Sequence, residues 1–404
     1  MASERAVLRV GVLDFTSSGW AAGSTFTRAL TCSLLSVCRE EGVEVFILSD
    51  KAESPIGKDL PVTVLQVAPP LLGPPTKAPS FRGESLLRRA LGRSDPSHTY
   101  NAYIAAREHG ISVLLPPGAV PCWAAGVKTV GWISDFQHVY LPEFFSREER
   151  RKRDEAFRSL AERADLVLLS SRAARDHFAA FAPDYVDKAR VAPFPSMFAF
   201  EPPSGDPHGS PRKYNLPEKF VLVANQFWAH KNHEIVVEAL DRLRRKGVRV
   251  AVVMTGLPVD SRDLSNHALS RLLQAVARGG LAGQVTVLGQ VPRNDLVDLM
   301  RVAAIVIQPS RFEGWSTVVQ DAKALGRPVA CSDIPVHREQ APDSLGFFPC
   351  DRPDILADLL AAHWDALEPG PDRDGEESAL AAEREFAGLH GRTLLGICRE
   401  AVRT

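Results

Sequence analysis

The stretch FVLVANQFWAHKNHEIVVEALDRLRRKGVRVAVVMT, residues 220–255, reads as one βαβ unit. FVLVA (220–224) is an apolar run of strand length, a helix is expected from about 232 to 246, and Gly247 ends it before the strand VRVAVVMT. Runs that are apolar throughout, without polar alternation, belong to strands buried on both faces, as in parallel sheets. The same order stands near the N-terminus. LRVGVLDF (8–15) leads through a loop with Gly19 and Gly23 into a helix of roughly residues 24–41, then Gly42 and the strand VEVFILS. Two Rossmann-like α/β domains follow from this repetition.

The alternation continues in both halves. In the second, a helix is expected at 264–278, then strand VTVLG (285–289), helix RNDLVDLMRVA, strand AIVIQP (304–309), a further helix, and strand PVACS (328–332). The first half should add strands at 62–67, 111–115, 128–133 and 165–170, with helices near 99–109, 146–163 and 171–181. The Pro, Gly and Ser-rich segment 196–219 reads as a linker, and EPGPDRDGEE (368–377) as a second break. The expected division is an N-terminal Rossmann-like domain over 1–200, a C-terminal Rossmann-like domain over 217–370, and a helical segment over 376–404 that packs back on the first domain. Ligands of such sheets sit outside the carboxyl ends of the strands, where the βα loops converge.

Composition narrows the function. The 404 residues are 45% hydrophobic and 24% charged with a formal net charge of -1, which marks neither disorder nor a general attraction to nucleic acid or anionic lipid. The six cysteines form no C-x-x-C pair and read as reduced thiols, which suits the cytoplasm. The first strand begins within ten residues, so no signal peptide is expected, and the longest uncharged run (111–127) is too short and too broken by proline to span a bilayer.

Candidate chemistry gathers at strand ends. In PSRFEGWSTVVQDAKALG (309–326), Glu313 and Asp321 flank a helix start that Ser316 or Thr317 can cap. Acids fore and aft suit hydroxyls, while the backbone amides between them suit an anion; the plainer reading is a surface acid and a dipole-favoured helix residue. In NQFWAHKNH (225–233), Lys231 precedes a helix that Asn232 can cap, so its ammonium and the helix start can share one anion, with Gln226, His230 and His233 nearby; a solvated lysine is the alternative. Phe227 and Trp228 read as packing residues. In GWISDFQHVYLPEFF (131–145), Asp135 and His138 can hold hydroxyls or share a proton, and a structural histidine is the competing reading. SSGWAAGST (17–25) lacks the G-x-G-x-x-G spacing, yet Gly23 at a helix start can bring backbone amides to a phosphate. The charged run 146–165 reads as a solvated face, with an anionic acceptor or a membrane surface as the other reading, and 80–93, beside a Pro-rich stretch, is similarly ambiguous, with a mobile acceptor-side element as its alternative. The literal D-x-D, Asp372 to Asp374, lies in the second break, so no catalytic metal is expected.

Together these residues resemble a known family. AIVIQPSRFEGWSTVVQDAKALGRPVACSD (304–333) is similar to the E-x7-E segment of retaining family-4 glycosyltransferases of the GT-B fold, and NQFWAHKNH, LGQVP and DFQHVYLPEFF resemble companion motifs of a bacterial branch. The resemblance implies two Rossmann-like, doubly wound domains facing across a cleft. It implies Glu313 at the donor sugar, Asp321 at the ribose, Lys231 on the pyrophosphate, Gly23 near the phosphates, backbone near Val291 at the base, and amides of Gly314, Trp315, Ser316 and Thr317 at the donor. Asn225, Gln226 and Gly256 complete the implied donor site, with Glu313, Lys231, Asp135 and His138 as the catalytic set. Three departures stand out: Asp321 is shorter than the usual Glu, Ser134 replaces the usual His before Asp135, and Asn225 or Gln226 stands where an arginine is common. The implied protein is a cytoplasmic, metal-independent enzyme that uses no cofactor beyond a nucleoside-diphosphate sugar. Its partners are that sugar nucleotide and a hydroxyl acceptor, with no nucleic acid and no membrane span, though peripheral membrane association stays open. A catalytically silent protein that binds sugar nucleotides is the alternative.

Overall fold

The computed structural model describes residues 7–14, 21–51, 53–67, 96–116, 126–260 and 267–404. These form two compact units, the first from 1–136, 147–195 and 386–404, the second from 137–146 and 196–385. The charged run 80–93, Gly19 and Cys122 lie outside the described residues.

The first unit is built on a seven-stranded sheet in the order β3-β2-β1-β4-β5-β6-β7. Its strands are β1 (Leu8–Asp14), β2 (Val43–Ser49), β3 (Thr63–Gln66), β4 (Val113–Leu115), β5 (Lys128–Trp132), β6 (Leu166–Leu169) and β7 (Ala189–Val191), and every pairing is parallel. The helix Ala21–Glu41 buries Phe26, Leu30, Leu34 and Val37, spaced three and four residues apart on one face. Gly23 lies inside its first turn, where it was expected to open the helix, and its carbonyl accepts the Thr27 hydroxyl at 2.9 Å. The final helix, Arg373–Arg403, meets the Ala21 helix at Gly391, where an added Cβ would stand 2.2 Å from the Ser33 carbonyl. His390 and Ser33 bond beside that crossing at 2.9 Å. On the helix Arg147–Arg163 the charges pair along one exposed face, Arg151 with Glu155 and Lys152 with Glu148, while Leu160 and Ala161 are buried.

The second unit carries a six-stranded parallel sheet in the order β10-β9-β8-β11-β12-β13. Here β8 is Val221–Ala224, β9 Val252–Thr255, β10 Val285–Gly289, β11 Ile305–Gln308, β12 Val329–Ser332 and β13 Gly346–Phe348. The expected strand at 248–255 begins only at Val252. Residues beyond the helix His233–Arg245 are used to close it: Gly247 takes φ +77°, its N–H reaches the Arg244 carbonyl, and the Val248 N–H reaches that of Leu243. That is a Schellman closure, and the left-handed residue it needs is the glycine. The sequence reading also passed over β7, β13 and the helices Pro335–Gln340 and Pro353–His363. Among the described residues no helix is long and apolar enough to cross a membrane.

Candidate functional site

In the second sheet the chain runs β8, β9, β10 in one direction, then returns to lay β11 on the other side of β8. A crevice therefore opens at the carboxyl ends of β8 and β11. Asn225 directly follows β8 and Gln308 ends β11, and the Asn225 Nδ2 donates to Gln308 Oε1 at 2.7 Å. Gln308 Nε2 passes the contact on, donating to Glu313 Oε1 at 2.9 Å and to Ser310 Oγ at 3.1 Å. Lys231 Nζ donates to the same Glu313 oxygen at 2.6 Å. The ion pair is only 16% and 11% exposed on its two sides, so it sits at the mouth of a largely desolvated corner.

The backbone around this corner is fixed from several sides. Gly256 has φ +150°, and a Cβ there would lie 2.1 Å from the Asn225 carbonyl oxygen and 2.8 Å from Gln226 Cα. Only glycine lets β9 pass so close beneath the loop. His233 Nε2 lies 3.3 Å from that same Asn225 carbonyl, and its ring stacks on Phe227 with centroids 4.6 Å apart. Burial drives the His233 pKa down to about 4, so near neutral pH its uncharged imidazole donates Nε2–H to the carbonyl. Asn232, expected to cap the next helix, does otherwise. It adopts φ +56°, makes no side-chain cap, and donates Nδ2 to the carbonyls of Pro309 (3.2 Å) and Cys350 (2.9 Å). Its amide thus ties the loop after β8 to the loop after β11, and the Arg311 N–H on the His230 carbonyl (2.8 Å) repeats the tie.

His337 packs against this corner. Its Nδ1 is 3.0 Å from both the carbonyl and the hydroxyl of Ser332. Burial lowers its pKa to about 4, against the opposing pull of Glu313. The ring is therefore neutral near pH 7, and Nδ1–H donation to the carbonyl leaves Nε2 as a bare acceptor with no partner among the described residues.

Ser316 caps the helix Thr317–Ala324, accepting the Val319 N–H at 3.3 Å. Of the amides expected to face a donor, that of Ser316 is already engaged: Gln340 accepts it at 3.1 Å and returns Nε2–H to the Ser316 carbonyl at 2.7 Å. Asp321, one turn further on, is also held. Its Oδ1 accepts the Ser196 hydroxyl at 2.6 Å, and its Oδ2 accepts both terminal nitrogens of Arg293 at 3.2 Å. Ser196 is pinned through its own N–H to Glu383 at 2.6 Å, and Gln320 Nε2 donates to both Glu383 oxygens at 3.0 and 2.9 Å. Burial raises the Glu383 pKa, and these donors oppose the rise.

The second unit thus brings together Lys231, Glu313, Asn225, Gly256 and the start of the Asp321 helix, and Gln226, Gly314, Trp315, Thr317 and Val291 are each half-buried. Asp135 lies in the first unit, half-buried just past β5, with the Ser134 hydroxyl 3.4 Å from its carboxylate. His138 is buried in the turn Gln137–Tyr140 and meets Phe145 edge-on at 6.3 Å. A pocket of about 220 Å³ flanks the loop after β8, lined by Trp228, Asn232, Arg271 and Arg311 among others, and touches neither Lys231 nor Glu313. Sequence reading missed Gln308, Gln340, Arg293 and Ser196. Only Gln308 left a trace, as a polar residue ending the apolar run AIVIQ.

The residues that form this corner fall inside a recognised domain. Residues 210–361 match the family described as glycosyl transferases group 1. A protein of Paenarthrobacter aurescens (strain TC1) named D-inositol 3-phosphate glycosyltransferase is 25% identical over 367 residues, 87% of this chain and 88% of that one. A glycosyltransferase structure from Rickettsia africae ESF-5 superposes with a TM-score of 0.65 at 15% identity, covering 99% of this chain and 100% of that one. Anabaena HepE, solved in complex with UDP-glucose, gives 0.64 at 15% identity over 98% of both chains. The fold is GT-B, and the matches support a glycosyltransferase.

Proposed function

We propose that this chain is a metal-independent, retaining glycosyltransferase of the family-4 type, acting in the cytoplasm on a nucleoside-diphosphate sugar and an acceptor hydroxyl. The observation that carries the reading is the Lys231–Glu313 ion pair at the crevice between β8 and β11, beside a Ser316-capped helix start. Without donor the two charges satisfy each other. A diphosphate competes for the Lys231 ammonium and draws it off Glu313, whose freed carboxylate oxygen then accepts from a hydroxyl of the donor sugar. Gln308 keeps that carboxylate aimed when its cation moves. The leaving diphosphate gains charge as the glycosidic bond breaks, and Lys231 with the helix start stabilises it in a site that has already shed most of its water. In a front-face displacement the departing phosphate oxygen takes the acceptor's proton, so no protein nucleophile is needed. Following the resemblance, we keep Gly23 for a phosphate contact, backbone near Val291 for the base, and Asp135 with His138 in the catalytic set. HepE's complex with UDP-glucose makes UDP sugars the first donors to try, and the Paenarthrobacter relative's name makes a phosphorylated polyol the first acceptor.

Diphosphate release in the presence of acceptor tests the reading. Lys231→Ala and Glu313→Ala should each cut turnover by about two orders of magnitude or more, the usual loss for one such contact. Rates near those of the unaltered protein would reject it.

A further inference from the structure

We propose that the pocket beside the loop after β8 is a second ligand site, separate from the Lys231–Glu313 pair, and that it takes a small aromatic carboxylate carrying a single negative charge. All of its wall belongs to the second unit. The apolar part is Phe144, which ends the turn Pro142–Phe144, with Phe227 and Trp228 from the loop. These rings are braced by their neighbours. Phe144 and Trp228 both lie against His230, with centroids 6.5 and 5.7 Å away, and Phe227 stacks on His233 at 4.6 Å. The charged part is Arg271 from the helix His267–Arg278, Arg311 from the loop after β11, and Glu234.

Charge and size set the ligand class. Arg271 Nε donates to Glu234 at 2.8 Å, so those two charges cancel. Arg311 donates from Nη2 to the Asn232 amide oxygen at 3.2 Å and has no carboxylate partner among the described residues. Burial keeps His233 uncharged near pH 7. Two guanidinia against one carboxylate leave the wall with one positive charge in excess, on a planar fork most of whose N–H groups are still available. A carboxylate matches that fork with two parallel bonds and neutralises the excess, whereas a dianion would leave the pocket negative beside Glu234. The rings supply faces and edges for a flat apolar body. A cavity of about 150 Å³ holds benzene. At about 220 Å³ this pocket has room for one ring and its carboxylate, and is too small for a nucleoside diphosphate.

The experiment titrates the full chain with 4-fluorobenzoate at pH 7.5 and follows the fluorine resonance by NMR. Two probes with the same ring stand beside it: 4-fluorobenzamide, which is neutral, and 4-fluorophenyl phosphate, which is close to a dianion. The benzoate should bind with a Kd at or below about 1 mM, a range open to so small a ligand, and the other two at least about tenfold more weakly. Arg311→Ala should weaken the benzoate by about tenfold or more, the value of a bond from a charged donor, and Arg311→Lys should weaken it less. Glu234→Gln raises the excess charge by one and should admit the phosphate. UDP should leave the benzoate in place. A benzamide bound as tightly as the benzoate, an Arg311→Ala protein that binds the benzoate unchanged, displacement by UDP, or no saturable binding up to about 10 mM overturns the inference. Each of those results leaves the glycosyl-transfer reading to its own test, because the pocket touches neither Lys231 nor Glu313.

Discussion

Gln308→Leu isolates what the amide at the end of β11 contributes. The substitution nearly preserves volume but removes three bonds, from Asn225 at 2.7 Å and to Glu313 and Ser310 at 2.9 and 3.1 Å. Asn225 and Ser310 are both buried, so their orphaned groups each cost about 1–3 kcal/mol, while leucine recovers part of that by removing a buried amide. A net loss of about 3 kcal/mol follows, which lowers the unfolding midpoint by roughly 6–12 °C for a unit of this size. Glu313 keeps only Lys231, and a donor diphosphate competes for that cation. Turnover should therefore fall by about tenfold or more beyond any loss of folded protein, because the carboxylate is no longer held in the sugar-binding pose. Differential scanning fluorimetry reads the first effect and initial rates at saturating donor, well below the midpoint, read the second. A midpoint within about 2 °C of the unaltered protein, together with an unchanged kcat, would refute the bridging role of Gln308.

Gly256→Ala should be costlier than an ordinary surface change, because its Cβ meets backbone atoms and the glycine sits at φ +150°; about 3 kcal/mol is expected, read as a lowered urea midpoint together with a raised donor KM. An alanine that leaves both unchanged would show that the loop has room to shift. Stability should also depend on acid through the buried imidazoles. His233 and His337 titrate near 4 when folded against about 6.5 unfolded, so the unfolded chain binds more protons between those values. Their stabilising contribution is complete above about pH 6.5 and is lost as pH falls toward 4, at roughly 3 kcal/mol for each ring. His337→Asn should flatten the pH dependence of the unfolding free energy by about one proton in that window, measured by urea titration from pH 4.5 to 7.

What could be read from sequence was whatever is local. The apolar runs are strands at Leu8–Asp14 and Val221–Ala224 because their residues are largely buried on both faces, and Gly42 and Gly247 announce helix ends through their own conformation. Ser316 announces a cap for the same reason. Strands β7 and β13 have three residues each, too few to show a period. The partners around the acids were illegible for a different reason. Ser196 and Asp321 are 125 residues apart and Asn225 and Gln308 are 83 apart, so no spacing links them before the sheet is folded. Asn232 misled because asparagine both caps helices and tolerates left-handed backbone, and only the tertiary acceptors at Pro309 and Cys350 choose between the two.

The two acids are held by one plan with different consequences. Each has a neutral donor on its buried flank, Gln308 for Glu313 and the Ser196 hydroxyl for Asp321, and one cation toward solvent, Lys231 and Arg293 respectively. Neutral donors order a carboxylate without discharging it, so each acid depends on its single cation for electrostatic balance. A diphosphate brings negative charge of its own and can compete for Lys231, whose compact ammonium is readily reoriented. Arg293 holds Asp321 through two nitrogens of a planar fork, which is harder to draw off. Under the proposed reading the Lys231–Glu313 pair is therefore the one that opens on donor binding, whereas the Arg293–Asp321 pair stays closed.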